Sequence, residues 1–430
     1  MASPSISLIL VGDLVDRDQA HIQTGPFGTQ LKASEYVEFG TPVINVRNIG
    51  MGSVRQAQLE FVNDAKAENL SAHTLKIGDI VFGRKGAVDR HALITPDQDG
   101  WIQGSDCIRL RFNCPSLSTR FVSHYFRTQS HRHWMEAQGS FGATMASLNQ
   151  GIIKRIAIPD IPYPEQRKIA AILTAYDDLI ENNRQRIALL EAMAEEIYRE
   201  WFVRLRFPGH QHTPIHKGVP EGWIEEPVVD AFDFTGGGTP SKKESRFWNP
   251  QEIDWYTPSD ITASNGTFLF ESAEKCSEEG LRNSSARLFP AYSVMLTSRA
   301  TIGAIGINTT PAATNQGFIT CIPNERFPLT FLYHWLKLAK PHFEMLSSGA
   351  TFAELTKGTF KKIRILRPTD ELVARYEAIA RSNFDSIELL SRQNANLQRT
   401  RDLLLNRLIS GKLRVDDLEI CFPPSMSEAS

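Results

Sequence analysis

Residues 169–201 read Ile169-Ala170-Ala171-Ile172-Leu173-Thr174-Ala175-Tyr176-Asp177-Asp178-Leu179-Ile180-Glu181-Asn182-Asn183-Arg184-Gln185-Arg186-Ile187-Ala188-Leu189-Leu190-Glu191-Ala192-Met193-Ala194-Glu195-Glu196-Ile197-Tyr198-Arg199-Glu200-Trp201. Ile169, Leu173, Tyr176, Ile180, Asn183, Ile187, Leu190, Ala194, Ile197 and Trp201 follow one another in alternating steps of four and three, the seam of a heptad helix. Pro164 suits the first helical turn and Glu165 its positive dipole end, while Pro208-Gly209 closes the pattern. Over residues 164–206 such a helix runs roughly 65 Å, longer than a globular domain covers. Its stripe therefore calls for a second helix, the alternative being that each helix packs on its own neighbouring domain. Residues 371–411 supply one, with Tyr376, Ile379, Asn383, Ile387, Leu390, Asn394, Leu397, Leu404 and Leu408, stopped by Gly411. The expected arrangement is an antiparallel pair, with Asn183, Asn383 and Asn394 fixing register at some cost in stability.

Each helix is preceded by the same segment. Gly142-Ala143-Thr144 returns 207 positions later as Gly349-Ala350-Thr351. At that offset Leu148 meets Leu355, Gly151 meets Gly358, Lys154 meets Lys361, and Ile156 and Ile158 meet Ile363 and Ile365. Further upstream Phe121 and His124 match Phe331 and His334, Lys85 matches Arg299, Cys107 matches Cys321, and Gly28-Thr29 matches Gly238-Thr239. The chain is an internal repeat of a mixed segment, rich in short apolar strands and Gly/Pro turns, followed by a long helix. Helical patches at Phe121–Arg132 and Phe331–Phe343 make each mixed segment α and β. The expected segmentation is 1–160, 161–207, 208–370, 371–415 and a disordered tail at 416–430.

The 430 residues exceed what one core organises, and 41% hydrophobic with 22% charged residues describes a globular chain. No apolar run reaches the length of a membrane span, and residues 6–11 suit a strand better than a secretory signal. Five cysteines, Cys107, Cys114, Cys276, Cys321 and Cys421, include no Cys-x-x-Cys pair, so reduced thiols in a cytoplasm are expected, without zinc or disulfides. A formal charge of −2 excludes grip on nucleic acid by net charge and leaves room for a local basic surface.

Catalytic patterns are missing. Gly236-Gly237-Gly238-Thr239-Pro240-Ser241-Lys242 lacks phosphate-loop spacing and reads as a turn. Pro159-Asp160 with Glu165 lacks the lysine of a nuclease motif, and His131-Arg132-His133 reads as an exposed basic helix end, not a metal site. No catalytic or metal-binding residue is assigned. Polar and cationic residues beside glycine instead recur in both copies. In the first they are Thr29, Lys32, Arg47, Asn48, Arg84, Lys85, Arg90, Ser140 and Thr144. In the second they are Thr239, Lys242, Lys243, Ser298, Arg299, Thr301, Asn315, Gln316, Ser348 and Thr351. Arg and Lys suit guanine and phosphate, Asn and Gln suit adenine, and hydroxyl residues admit close backbone approach, so these are the candidate DNA-binding residues.

Ile158-Pro159-Asp160-Ile161-Pro162-Tyr163-Pro164-Glu165-Gln166-Arg167-Lys168-Ile169-Ala170, with Asp177-Asp178-Leu179-Ile180 after it, resembles the entry to the central conserved helix of type I restriction–modification specificity subunits. Val219-Pro220-Glu221-Gly222-Trp223 resembles the opening of their target-recognition domains. Leu296–Gly303, with its counterpart Gly78–Gly86, resembles a strand-and-loop segment of the same domains. The first copy lacks the Pro-Glu-Gly-Trp opening, and the second helix begins Thr369-Asp370-Glu371-Leu372 where the family often has Pro and Glu-Gln.

The resemblance implies an α+β fold of two mixed α/β target-recognition domains joined by two long antiparallel coiled-coil helices in a pseudo-twofold repeat. It implies a non-catalytic subunit whose domains each read one half of a bipartite double-stranded DNA target while the helices set the spacer. Two modification (methyltransferase) subunits on the helices would methylate adenine, and restriction/translocase subunits would cleave, in a bacterial or archaeal cytoplasm. The chain itself would bind no cofactor: S-adenosylmethionine, ATP and Mg belong to the partners. The alternatives are a scaffold binding protein or another ligand, and a fragment of a fused restriction–methyltransferase.

Overall fold

Both long patterns are continuous helices, Tyr163–Tyr198, prolonged by a π turn at Arg199–Val203, and Asp370–Ile409. The computed structural model describes residues 7–139, 146–264, 266–347 and 353–426. The chain divides into two compact units, Met1–Ile180 with Asn396–Ser430, and Glu181–Ala395. Each unit holds one globular copy together with a stretch of both long helices.

Within each unit the helices run antiparallel. In the first, Lys168 donates to the carbonyls of Val415 and Asp416, whereas Asp177, further along, meets Arg401. In the second, Asn183 donates to Asn394 Oδ1 at 3.0 Å, and the Tyr198 ring lies 5.7 Å from that of Tyr376. As the first helix advances, its partner's residue number falls. The stripe is also covered by the unit's own globular copy. Ile169 and Leu173 share a core with Phe121 and Val122 of the helix Thr119–Phe126, and with Leu405 and Leu408. Tyr198, Tyr376 and Phe384 share one with Phe331 and Leu332 of the helix Leu329–Leu338. Full burial of side chains this large stabilises by about 1.5–3 kcal/mol each, the term that holds helix to domain.

The globular copies have one topology. In the first unit a five-stranded sheet runs Ala20–Thr24, Cys107–Phe112, Ile80–Gly83, His91–Leu93, Met51–Gly52. In the second the order is Phe234–Gly236, Phe318–Cys321, Val294–Thr297, Ile305–Asn308, Phe268–Leu269. Both end in a parallel pair. A three-stranded sheet accompanies each: Glu60–Val62, Thr41–Ile44, Ile102–Gln103, and Lys275–Cys276, Ile253–Tyr256, Ala312–Thr314. A two-stranded ribbon ties the start of each copy to its end, Leu8–Leu10 to Ala157–Pro159 and Ile224–Pro227 to Arg364–Arg367.

Register corrects two of the matches read from sequence. Gly83 pairs with Cys107 and Thr297 pairs with Phe318, so Cys107 is equivalent to Phe318. Ile80 pairs with Leu110 and Val294 with Cys321, which makes Leu110 the counterpart of Cys321. Gly28-Thr29 and Gly238-Thr239 also part. Gly28 faces open space, whereas a Cβ on Gly238 would stand 2.1 Å from Ser285 Oγ. The glycines that correspond are Gly25 and Gly237, where a Cβ would come within 1.9 Å of Gly104 O and 2.0 Å of Asn315 O.

Three further expectations change. In the second helix Ile379 is 45% exposed and Asn383 half-buried, while Ala380 and Phe384 are enclosed. Successive steps of four from Tyr376 to Phe384 carry the seam off the strict heptad, and the Phe384 ring fits against the globular copy. His131 is not an exposed helix end. It is buried, stacked on Phe126 with ring centroids 4.5 Å apart, and burial lowers its pKa to about 4. The residues of the expected disordered tail that are described, up to Met426, lie on the first unit. Ile420 and Met426 pack on its core, Phe422 lies beneath the Arg167 guanidinium, and Ser425 donates to Asp178. The short composition of the tail hides these apolar anchors.

Candidate nucleic-acid interface

In each copy the ends of three neighbouring strands deliver their loops to one edge of the five-stranded sheet. In the first, Ala20–Thr24 runs out to residues 25–32, Ile80–Gly83 runs out to 84–90, and residues 104–106 lead into Cys107–Phe112. Backbone hydrogen bonds lace them together: Gly25 N to Cys107 O, Arg84 N to Asp106 O, and Leu148 N to Arg84 O. The second copy repeats the lacing with Ser298 N to Gly317 O and Leu355 N to Ser298 O. Arg84 and Ser298 are therefore equivalent, and Lys85 is equivalent to Arg299, as read from sequence. Each also forms an isolated β-bridge, Lys85 with Ser147 and Arg299 with Glu354.

The candidate residues sort by what they touch. Arg84 lies over the exposed ring of Phe27, 5.4 Å from its centroid. Lys85 Nζ stands 3.5 Å from Asp106, and Arg47 is 2.7 Å from Glu60 on the three-stranded sheet. Lys32 is exposed; its backbone N–H donates to Glu35, whose carboxyl is held below the ordinary range first by the Lys66 hydrogen bond and then by this one. Arg90 is half-buried. In the second copy Thr239 donates to Gln316 at 2.7 Å, which unites two candidates from separate loops. Lys242 pairs with Glu274 and lies 3.7 Å above the Trp248 ring, while Lys243 is exposed. Arg299 Nε donates to Glu354 at 2.9 Å. Asn315 Oδ1 accepts from Gly317 N and shapes the turn before the strand, and Thr301 is exposed.

Two candidates do not face outward. Asn48 is fully enclosed: its Oδ1 accepts from Asn45 N and its amide donates to the carbonyls of Arg55 and Ala57. It builds a loop and leaves no group for a base. Ser298 is buried and contributes through its backbone bonds. Ser140, Thr144, Ser348 and Thr351 lie outside the described residues, as does the side chain of Thr29.

Sequence reading missed the aromatic and acidic partners. Phe27 and Trp248 sit under cations, which a pattern search for polar loops passes over; Lys-x5-Trp at 242–248 was the available signal. Asp106, Glu274 and Glu354 neutralise the neighbouring cations, so each loop carries donors and acceptors side by side, not a bare positive field. Exposed pairs of this kind add at most about 1 kcal/mol and exchange readily for other partners. Cys107, at the start of its strand, is buried, and burial pushes its thiol up to about 12. Among the described residues no cluster of His, Cys, Asp or Glu could hold a metal ion, and no helix is long and apolar enough to cross a membrane.

The model of the type I restriction modification DNA specificity domain matches residues 28–192 and 220–398, once over each copy with its helix. The type I restriction enzyme MjaIX specificity subunit of Methanocaldococcus jannaschii is 31% identical over 191 residues, 44% of each chain. The HindI specificity subunit of Haemophilus influenzae is 22% identical over 86% of this chain and 94% of its own. The crystal structure of a type I restriction–modification S subunit from M. genitalium shares the fold, with a TM-score of 0.58 at 16% identity, over 95% of this chain and 97% of that one.

Proposed function

The chain belongs to the type I restriction modification DNA specificity domain family, and we propose from this that each globular copy reads one half of a bipartite DNA target. As a specificity subunit its role is DNA target recognition. The finer reading has the laced loop ends at each sheet edge enter the duplex, one copy per half-site, with the paired helices determining the spacer. The chain contributes recognition, not chemistry. Two modification subunits would dock on the helices and carry S-adenosylmethionine for adenine methylation, and restriction/translocase subunits would use ATP and Mg. These partners would supply much of the phosphate grip that a net charge of −2 does not.

One observation carries the reading. Two copies in one chain each present equivalent cation-bearing loops at the corresponding edge of their own five-stranded sheet. Exchanging residues 1–160 for another recognition domain tests it. Mapping of methylated sites made by the assembled complex is expected to show new bases in one half-site and none in the other. Altered bases in both halves would sink the two-reader model.

A further inference from the structure

We propose that Arg299 with Glu354, and Lys85 with Asp106, are G·C-reading pairs, one per recognition domain, in which the cation addresses guanine and the carboxylate addresses the paired cytosine. This rests on the DNA-recognition reading above and deepens it. Lys85 and Arg299 occupy the same position of the repeated fold, one residue beyond a backbone unit anchored on both sides, Arg84 by Asp106 O and Leu148 N, and Ser298 by Gly317 O and Leu355 N. That anchoring limits the freedom of the residue that follows, which is what a base-reading side chain requires.

The carboxylate is the decisive feature. A cation meant for phosphate gains nothing from an acidic neighbour, which repels the same phosphate. A G·C pair in the major groove offers acceptors on guanine beside the amino donor of cytosine, so a cation and a carboxylate side by side match it. The pairing recurs although its acid comes from different places, Asp106 from the loop before a strand and Glu354 from the segment bridged to Arg299. Charge pairing is thus repeated at equivalent points by non-equivalent residues. Arg299 engages Glu354 through Nε, and among the described residues neither terminal nitrogen has another partner, which leaves both for guanine O6 and N7. Lys85 is a single point donor, so the second domain discriminates its G·C pair more sharply than the first.

The test uses the full chain assembled with its modification subunits, with methylation mapped over a library of duplexes. Wild type is expected to select one sequence in each half-site; if it selects none, the recognition reading itself fails. R299K and E354Q, both close in shape to the native residues, are expected to lower discrimination at one G·C position of one half-site, on the order of tenfold, with the other half unchanged. K85A and D106N are expected to act on the opposite half. If the variants instead weaken methylation of every sequence equally, and more so at high salt, the residues grip phosphate and the pairing proposal is overturned. An unchanged sequence preference overturns it as well.

Discussion

Asp177 on the first helix accepts hydrogen bonds from two arginines of different elements. Arg127 reaches it from the globular copy with two bonds of 2.6 and 3.2 Å, and Arg401 from the second helix at 2.6 Å. Burial alone would raise its carboxyl, but Arg127 leads the opposing effects and Arg401 adds to them, holding it at about 2. One carboxylate thereby ties both helices to the domain of the first unit. D177A leaves two guanidinium groups facing each other and is expected to cost about 3 kcal/mol in urea unfolding. Asn183 illustrates the opposite economy. Its bond to Asn394 spends seam positions on polarity, so N183L with N394L together should raise the melting temperature while permitting the helices to slip. A lower melting temperature for the double variant would show that the amide pair stabilises outright.

At the scale of elements, the second helix is where heptad reasoning and packing diverge. Its true seam passes through Ala380 and Phe384, and Ile379 faces outward. I379E is therefore expected to change stability by less than about 0.5 kcal/mol, and A380E to cost more than about 3 kcal/mol by burying an unpaired charge. Equal effects in denaturant titrations would mean the seam has been misassigned. The loops at the sheet edge obey a similar logic. Gly237 passes so close to Asn315 O that G237A must move the turn that presents Thr239 and Gln316. Weaker binding to one half-site, with little change in melting temperature, is the expected result.

For the whole molecule, acid sensitivity follows from buried imidazoles. Burial first, then the Arg127 charge, lowers His124 to about 3; burial lowers His131 and His334 to about 4, and His91 is lowered in the same way. A histidine depressed in the folded state takes up its proton only on unfolding. Its contribution is therefore complete above about pH 6.5 and is lost as pH falls towards the folded value. At pH 5 His124, His131 and His334 should each have cost on the order of 1–2 kcal/mol, and both units carry at least one of them. Calorimetry between pH 7 and pH 5 is expected to show melting temperatures falling steadily; a rise would contradict the neutral buried state.

Much of this architecture is written in local pattern. The heptad steps from Ile169 to Trp201, the repeat of Leu148 in Leu355 and of Lys85 in Arg299, and the stops at Pro208 and Gly411 are linear patterns that need no knowledge of spatial contacts, so sequence alone determined two copies, two long helices and their antiparallel pairing. What tertiary structure decided was every choice that rests on distant contacts. Strand register moved the partner of Cys107 to Phe318, because pairing is set across strands, not along them. Asn48 left the list of outward groups because three backbone partners enclose it, and Phe384 replaced Asn383 because a domain, not only a helix, covers the seam. Which cation meets which carboxylate depends on loops brought together from far apart in the chain, and no spacing rule encodes that meeting.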